Sequence, residues 1–322
     1  MKHFLIIVFL SSVALTACVS NITPPSTITS IPPSPSITST ATFEPSKTPL
    51  PTLTFTPAPN VNQTTSGWII HDEIWRNEIL ISGDIFISSG VTLIIEPGTT
   101  VRFTAQSDDL QMGGFIDRAI PERVYFPNDP PAIPSRMIVI VIYGKLESIG
   151  SLTEPILFTS NSDSPSVNDW QGLNLVGKAT IKNTIVEYAY WALQLRDSSV
   201  LDMKNSIFRH IATCAICTGR GTQILGGEIL ISENTFIDCG HEGVDTYINQ
   251  NIIVRNNLFI ENVVGVVANY GSEILIVNNY FYYNDLNIGI FNKSNPTVID
   301  NKTIWNIEGI NLMDFLSDFE LD

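Results

Sequence analysis

An asparagine returns about every 22 residues through the second half of the chain, within an alternating apolar pattern. The positions are Asn183, Asn205, Asn234, Asn256, Asn278 and Asn301. Their gaps of 22, 29, 22, 22 and 23 residues indicate one insertion of about seven residues, around Gly219 to Gly227. A fixed period in the twenties is typical of a solenoid, in which each repeat packs only against its neighbours. The repeat therefore predicts a stacked scaffold before it indicates any chemistry.

The alternation of side chains along a strand assigns these asparagines to the interior of the solenoid. Ile252, Val254 and Asn256 share one face of a strand, whereas Ile253 and Arg255 point the other way. A buried amide must be hydrogen-bonded, and amides stacked one coil apart can donate and accept along a ladder. Asparagine also tolerates the left-handed backbone of a sharp corner. We therefore expect the six asparagines to form a structural ladder inside the coils.

Leucine-rich repeats have a similar period and also carry an asparagine. Their pattern requires an apolar residue five positions before it, where this chain has Lys178, Val200, Ile229, Asn251, Glu273 and Pro296. Only two of these six are apolar and able to fill the position. The chain therefore departs from the leucine-rich pattern.

The asparagine frame instead resembles a right-handed parallel β-helix of the pectate-lyase-like superfamily. The segments Ser82 to Phe103 and Gly144 to Gly150, and Trp170-Gln171-Gly172, are similar to the early coils of bacterial β-helix repeat proteins. The resemblance implies an all-β domain of roughly 22-residue coils over residues 67–322. It implies no single activity, because this superfamily includes lyases, hydrolases, epimerases, adhesins and proteins without known activity.

The N-terminal segment, residues 1–18, is typical of an export signal. Met1-Lys2-His3 precedes an apolar run that is too short to span a membrane. Leu15-Thr16-Ala17-Cys18 resembles a bacterial lipobox, which implies lipidation at Cys18; an ordinary cleaved signal peptide is the alternative. An aspartate directly after the cysteine would resemble a signal for retention at the inner membrane, and this chain has Val19 there. We therefore expect an exported protein, anchored by lipid to the cell envelope and facing outward.

Residues 19–66 differ sharply in composition from the rest of the chain. Thirty of these 48 residues are Ser, Thr or Pro, too polar to bury the apolar surface that would offset the entropy of ordering. We expect a disordered stalk. Beyond it, no apolar run reaches 18 residues, so the lipid anchor is the only membrane contact predicted.

Charge and cysteine content narrow the partners further. The net charge of −15 argues against nucleic acid, which binds basic surfaces, and we expect a monomer. Besides Cys18, the cysteines are Cys214, Cys217 and Cys239; they allow one disulfide and one free thiol without deciding the pairing. A non-repetitive insertion at residues 105–136 is either functional or a decorated corner.

Side chains on the outer face of one sheet are the candidate site. Alternation brings together a polar patch suited to sugar hydroxyls, although an ordinary solvated face is the competing interpretation. The patch consists of Tyr190, Arg196, His241, Asp245 and Tyr247.

The same alternation argues against catalysis and metal binding. Glu242 and Asp245 lie three residues apart, so they are expected on opposite faces and unable to act as a pair. Cys214 and Cys217 are separated in the same way, so no chelate is expected. We therefore predict no metal site and no cofactor, and no catalytic residue is identified.

Three functions remain open. The first is a non-catalytic surface module that binds polysaccharide or a cell-surface glycan. The second is a polysaccharide lyase or glycoside hydrolase, and the third is a structural cell-envelope protein.

Overall fold

The computed structural model describes residues 63–110, 136–196, 199–218, 229–247 and 251–304. All of them belong to one compact unit, residues 59–322. The secondary structure within these ranges consists of short β-strands and turns, without a helix. Accordingly, no part of the described chain forms a helix long and apolar enough to cross a membrane.

Three parallel sheets of nine strands each make up the described fold. The first sheet contains β1 (Gly67–Ile69), β4 (Ile85–Ile87), β7 (Val139–Ile142), β10 (Gly172–Leu175), β13 (Leu193–Leu195), β16 (Ile216–Thr218), β19 (Glu242–Tyr247), β22 (Val264–Asn269) and β25 (Leu286–Ile290). The second contains β2 (Glu73–Trp75), β5 (Thr92–Ile95), β8 (Lys145–Ile149), β11 (Lys178–Lys182), β14 (Val200–Lys204), β17 (Ile229–Ser232), β20 (Ile252–Arg255), β23 (Leu275–Val277) and β26 (Thr297–Ile299). The third contains β3 (Glu78–Ile81), β6 (Thr100–Phe103), β9 (Ile156–Ser160), β12 (Thr184–Glu187), β15 (Ile207–Ile211), β18 (Thr235–Cys239), β21 (Leu258–Ile260), β24 (Tyr280–Tyr282) and β27 (Lys302–Ile304).

Each coil contributes one strand to each sheet, and every third strand along the chain pairs in parallel. This topology is that of a parallel β-helix, and it confirms the predicted fold class. Leu201 of β14 pairs with Ile229 of β17, whereas Ile229 pairs with Ile252 of β20. The longer first step contains the predicted insertion, Gly219 to Gly227, which lies outside the described residues.

The interior is one continuous apolar core that runs through all the coils. Phe103 stacks on Trp170 with ring centroids 3.8 Å apart. Farther along, four phenylalanines stack at successive centroid distances of 5.4, 4.8 and 5.0 Å: Phe208, Phe236, Phe259 and Phe281. Offset aromatic stacking of this kind adds to the stabilisation from buried apolar area.

An asparagine ladder lies inside the coils, but its members differ from those predicted. Its asparagines are Asn234, Asn257, Asn279 and Asn301, with Thr184 and Ser206 in the equivalent positions of earlier coils. In each step the side-chain oxygen of one asparagine accepts the backbone N–H of the asparagine one coil before, at 2.9 Å. The same oxygen accepts that residue's side-chain amide at 2.9–3.1 Å.

The other four predicted members occupy a different column, one residue earlier in the coil. The backbone φ lies between 46° and 55° in all four: Asn183, Asn205, Asn256 and Asn278. Asn234 and Asn301 belong to both the predicted and the observed ladder, and in their coils this earlier position is occupied by Glu233 and Asp300. Asn278 donates its amide to Asn256 Oδ1 at 2.8 Å on the exposed side. The prediction is wrong for these four because the left-handed residue turns the chain, so strand alternation does not extend through it.

A second, shorter ladder lies where β18, β21 and β24 end. Asn262 Oδ1 accepts the backbone N–H of Cys239 at 3.0 Å, and Asn284 Oδ1 accepts both the backbone and the side-chain N–H of Asn262. Asn262 lies six residues after Asn256, whereas the sequence pattern predicted only one ladder asparagine in each coil. Asparagines therefore satisfy backbone groups at two of the corners of these coils.

Several sequence predictions fall wholly or mostly outside the described residues. These include the signal segment with Cys18, most of the stalk, and most of the insertion at 105–136. The end of the predicted stalk is described, and it contacts the solenoid: Thr64 donates from its backbone N–H and its hydroxyl to Glu73, and Ser66 donates to Asp109.

Candidate functional site

The outer face of the first sheet carries an unbroken column of side chains, one from each coil. Successive pairings place them in the order Trp68, Phe86, Val141, Asn174, Gln194, Cys217, Asp245, Val267 and Gly289. The column is aromatic and apolar at its start and polar in its middle. The chemistry therefore changes along the face, and exposure changes with it: Trp68 is exposed, whereas the members from Phe86 to Val267 are buried.

The chain bends where it enters this sheet, and the bend puts two consecutive residues inside. Ala215 and Ile216 both belong to the main core, whereas Cys214 and Cys217 on either side pack in a separate outer cluster with Met137 and Trp191. The same happens one coil later, where a Cβ on Gly243 would point at the Phe259 ring and Val244 is in the core. Residues three apart therefore return to the same outer side.

This bend overturns two expectations derived from strict alternation. Cys214 and Cys217 are joined by a disulfide, with Cα atoms 5.7 Å apart. Glu242 and Asp245 are also on one side: one carboxylate oxygen of each, together with Cys214 Sγ, lies within 4.8 Å of the others. The prediction that the members of each pair point to opposite faces is wrong, because alternation holds only where the chain is fully extended.

The third cysteine of the domain, Cys239, is a free thiol buried in the core. Burial raises its pKa far above the ordinary value, and the negative charge of Asp238 adds to the rise. The raised pKa favours the protonated thiol, which is a weaker nucleophile than the thiolate.

The predicted patch lies on this outer face. Tyr190 and His241 are each one coil from Thr213, which donates its hydroxyl to Tyr190 O at 2.7 Å and accepts the His241 N–H at 3.1 Å on its backbone oxygen. The exposed His241 ring contacts Glu242 through Nδ1 and Oε1. Asp245 is buried beside that glutamate.

Arg196 organises the polar middle of the column. Its guanidinium donates to Asn174 Oδ1 at 3.1 Å and to Gln194 Oε1 at 2.8 Å. Asn174 is fully buried, and its Nδ2 has no hydrogen-bond partner among the described residues. Tyr247, two coils above Arg196, stacks on Tyr270 with centroids 5.3 Å apart. Asp245 thus belongs to the column and the other four patch residues flank it, and their role in ligand binding stays a prediction.

An aromatic platform at the start of the column was missed by the sequence reasoning. Trp68 stacks on Phe86 with centroids 4.9 Å apart and lies nearly parallel to Tyr143, at 6.0 Å and 10°. Trp68 is 52% exposed and Tyr143 is 38% exposed, whereas Phe86 is buried. The asparagine frame begins after these coils, but the aromatic side chains at outward positions of β1 and β4 were a usable signal.

The fold and the comparisons with known proteins define the chain as a right-handed parallel β-helix. Residues 172–321 match the family model described as right handed beta helix region, and residues 71–192 match the model described as pectate-lyase like beta helix domain. These matches agree with the three parallel sheets of the structure.

Other comparisons add little. No curated protein matches the chain significantly in sequence. A crystal structure of a mutant of the periplasmic alginate epimerase AlgG is similar over 70% of this chain and 74% of its own, at 12% identity and a TM-score of 0.22. A likeness at this level supports no statement about substrate or activity.

Proposed function

We propose that this β-helix is a surface-displayed polysaccharide-binding module, and that the chain of sugars lies along the outer face of the first sheet. The observation that carries the proposal is the exposed pair Trp68 and Tyr143. Their rings are stacked and nearly parallel, and Trp68 also stacks on buried Phe86. Large exposed aromatic surfaces on a soluble protein mark interaction sites.

The polar middle of the same column supports the assignment. Arg196 lies beside the column and donates to the buried side chains of Asn174 and Gln194, and its partly exposed guanidinium suits the acceptor oxygens of a sugar. Their hydrogen bonds to one another hold the side chains in place, which reduces the entropy lost on binding. A linear ligand can then stack at one end of the column and hydrogen-bond in the middle.

Replacing both platform rings, Trp68→Ala with Tyr143→Ala, is expected to weaken polysaccharide binding about tenfold or more. Truncation of a Trp or Tyr anchor commonly costs more than the roughly 1.4 kcal/mol that corresponds to tenfold. Binding is measured on a glycan array and then by calorimetry with the best hit. Tyr283→Ala is the matched control, since Tyr283 is equally exposed but follows the third sheet. An equal loss in both variants would contradict the platform as the binding site, and an array without hits would favour the structural cell-envelope protein.

A polysaccharide lyase or glycoside hydrolase is the second candidate, favoured by the closeness of Glu242 and Asp245. Retaining glycosidases place two carboxyl groups about 5–5.5 Å apart. The array hits are therefore also incubated with the protein and assayed for new reducing ends and unsaturated products. If the unaltered protein forms product and the Glu242→Gln and Asp245→Asn variants do not, the protein is an enzyme and the proposal of a non-catalytic binding module is wrong.

The proposed site of action is the outside of the cell envelope, through lipid on Cys18. Cys18→Ala is expected to move the protein from the membrane fraction to the soluble fraction, because the change removes the thiol that carries the lipid. Fractionation followed by immunoblotting measures the shift, with Cys239→Ala as a control that keeps the N-terminus. Unchanged fractionation of Cys18→Ala would remove the anchor from the proposal.

A further inference from the structure

Potential metal ligands from two coils lie close together where the chain bends into β16 and β19: one ligand atom from each of Cys214, Glu242 and Asp245 lies within 4.8 Å of the others, and Cys217 is the disulfide partner of Cys214. Cys214 and Cys217 form one pair, and Glu242 and Asp245 form the corresponding pair one coil later. Asp245 is the direct ladder neighbour of Cys217, and the backbone oxygen of Glu242 accepts the N–H of Ala215. Two coils thus present the same outward pair of positions, one above the other.

We infer that the reduced form of this cluster binds one zinc ion through Cys214, Cys217, Glu242 and Asp245, and that the disulfide closes the site. The cluster is a redox-controlled metal site, separate from the aromatic platform and independent of the proposed polysaccharide binding.

The positions of the ligand atoms fit a small tetrahedral ion. Zinc–sulfur and zinc–oxygen bonds of about 2.3 and 2.0–2.2 Å place ligand atoms roughly 3.3–3.8 Å apart in a tetrahedron. Ligand atoms of Cys214, Glu242 and Asp245 lie within 4.8 Å of one another, and reduction of the disulfide would free Cys217 Sγ to complete the set. All four residues are at least nine-tenths buried, so the ion would be held away from solvent.

The donor set selects zinc over other common ions. Thiolates suit zinc and monovalent copper, whereas calcium and magnesium require oxygen ligands almost alone. Two hard carboxylates in the set favour zinc over monovalent copper. His241 contacts one oxygen of Glu242, and a histidine hydrogen-bonded to a ligating carboxylate is a recurrent outer support of metal sites.

The redox step links this site to its surroundings. A dithiol reductant gives the disulfide two electrons and two protons and becomes a disulfide itself, while Cys214 and Cys217 become thiols. Zinc binding then releases both thiol protons to solvent and forms two zinc–sulfur bonds. Oxidation reverses the sequence and expels the ion. The disulfide state shown by the structure is the metal-free end of this cycle.

The full chain is reduced with a phosphine, which takes up oxygen from water as the disulfide gains two hydrogens, and is then titrated with zinc. We expect one zinc ion per chain in the reduced protein and none in the oxidised protein, by elemental analysis after desalting. Zinc should protect Cys214 and Cys217 from alkylation, as mapped by mass spectrometry. Cys239 is the internal control, because its buried, protonated thiol should react in neither state.

Carboxylate variants separate this site from a simple vicinal dithiol. Glu242→Gln and Asp245→Asn should each weaken zinc binding about tenfold or more, since even outer partners of metal ligands contribute 10–100-fold. Glu233→Gln is the matched control, because Glu233 pairs with Lys204 in another sheet. Circular dichroism confirms that each variant is folded. Equal zinc binding by oxidised and reduced protein, or unchanged affinity in both carboxylate variants, would overturn the inference.

Discussion

Replacing Asn257 by alanine should lower the free energy of unfolding by about 3 kcal/mol or more. Asn257 is fully buried; its oxygen accepts the backbone N–H of Asn234 at 2.9 Å, and its amide donates to Ile231 O at 3.0 Å and to Asn279 Oδ1 at 3.0 Å. The substitution leaves the Asn234 N–H and the Ile231 oxygen buried without these bonds. Each orphaned buried group costs about 1–3 kcal/mol. Urea unfolding followed by circular dichroism measures the loss.

The neighbouring Asn256 provides the control. It has φ +55° and its side chain bonds only on the exposed side, to Asn278. Asn256→Gly keeps access to the left-handed backbone and should change stability by less than about 0.5 kcal/mol. If the glycine variant at 256 were as unstable as the alanine variant at 257, the assignment of the inner ladder would be wrong.

The second large effect is expected at the bend into β19. An alanine Cβ at Gly243 would lie 2.6 Å from Phe259 Cδ1 and 2.7 Å from the backbone oxygen of Gly265. The ring has neighbours on both sides in the phenylalanine stack, and a backbone atom cannot rotate away. Overpacking of this kind costs about 1–3 kcal/mol, and more where the backbone must move. We therefore expect Gly243→Ala to lose about 3 kcal/mol in urea unfolding.

A double-mutant cycle tests the cause of that loss. Phe259→Ala alone should cost about 3–5 kcal/mol through the lost aromatic contacts and the cavity. Together the two changes should cost less than their sum, because removing the ring relieves the contact with the new methyl group. Gly90→Ala separates backbone strain from packing: its Cβ would meet no atom within 4 Å, so any loss there comes from its φ of +81° and not from a clash. If the losses in stability of the two single variants simply add in the double variant, the clash is not with the Phe259 ring.

The sequence was sufficient for the architecture because the solenoid repeats one pattern many times. Apolar positions such as Ile181, Met203 and Val254 were correctly assigned to the interior by alternation, since they lie within extended strands. The asparagines stand at strand ends, and in Asn256-Asn257 and Asn278-Asn279 two candidates are adjacent. The 22-residue period alone does not distinguish the two asparagines of a pair. The sequence pattern assigned the ladder to Asn256 and Asn278, which have the left-handed backbone, and not to the residues that follow them.

The site was harder to predict because its geometry depends on departures from regular strands. Glu242 and Asp245 share a side only because Gly243 and Val244 both face inward. The sequence marks that bend only by small residues at Ala215, Gly243 and Gly265, and a small side chain by itself does not indicate a change of direction. Trp68 was missed for a different reason, since the first coils lack the asparagine that sets the frame elsewhere.

The outer column of the first sheet also acts as a molecular ruler. Phe86, under the aromatic platform, and Asp245, in the metal-ligand cluster, are five strand pairings apart. At about 4.8 Å for each pairing, this separation is roughly 24 Å. Deleting or duplicating one whole coil between them would shift the two surfaces by a single spacing while leaving the contacts of each intact. The distance between the aromatic platform and the metal-ligand cluster can therefore change only in steps of one coil.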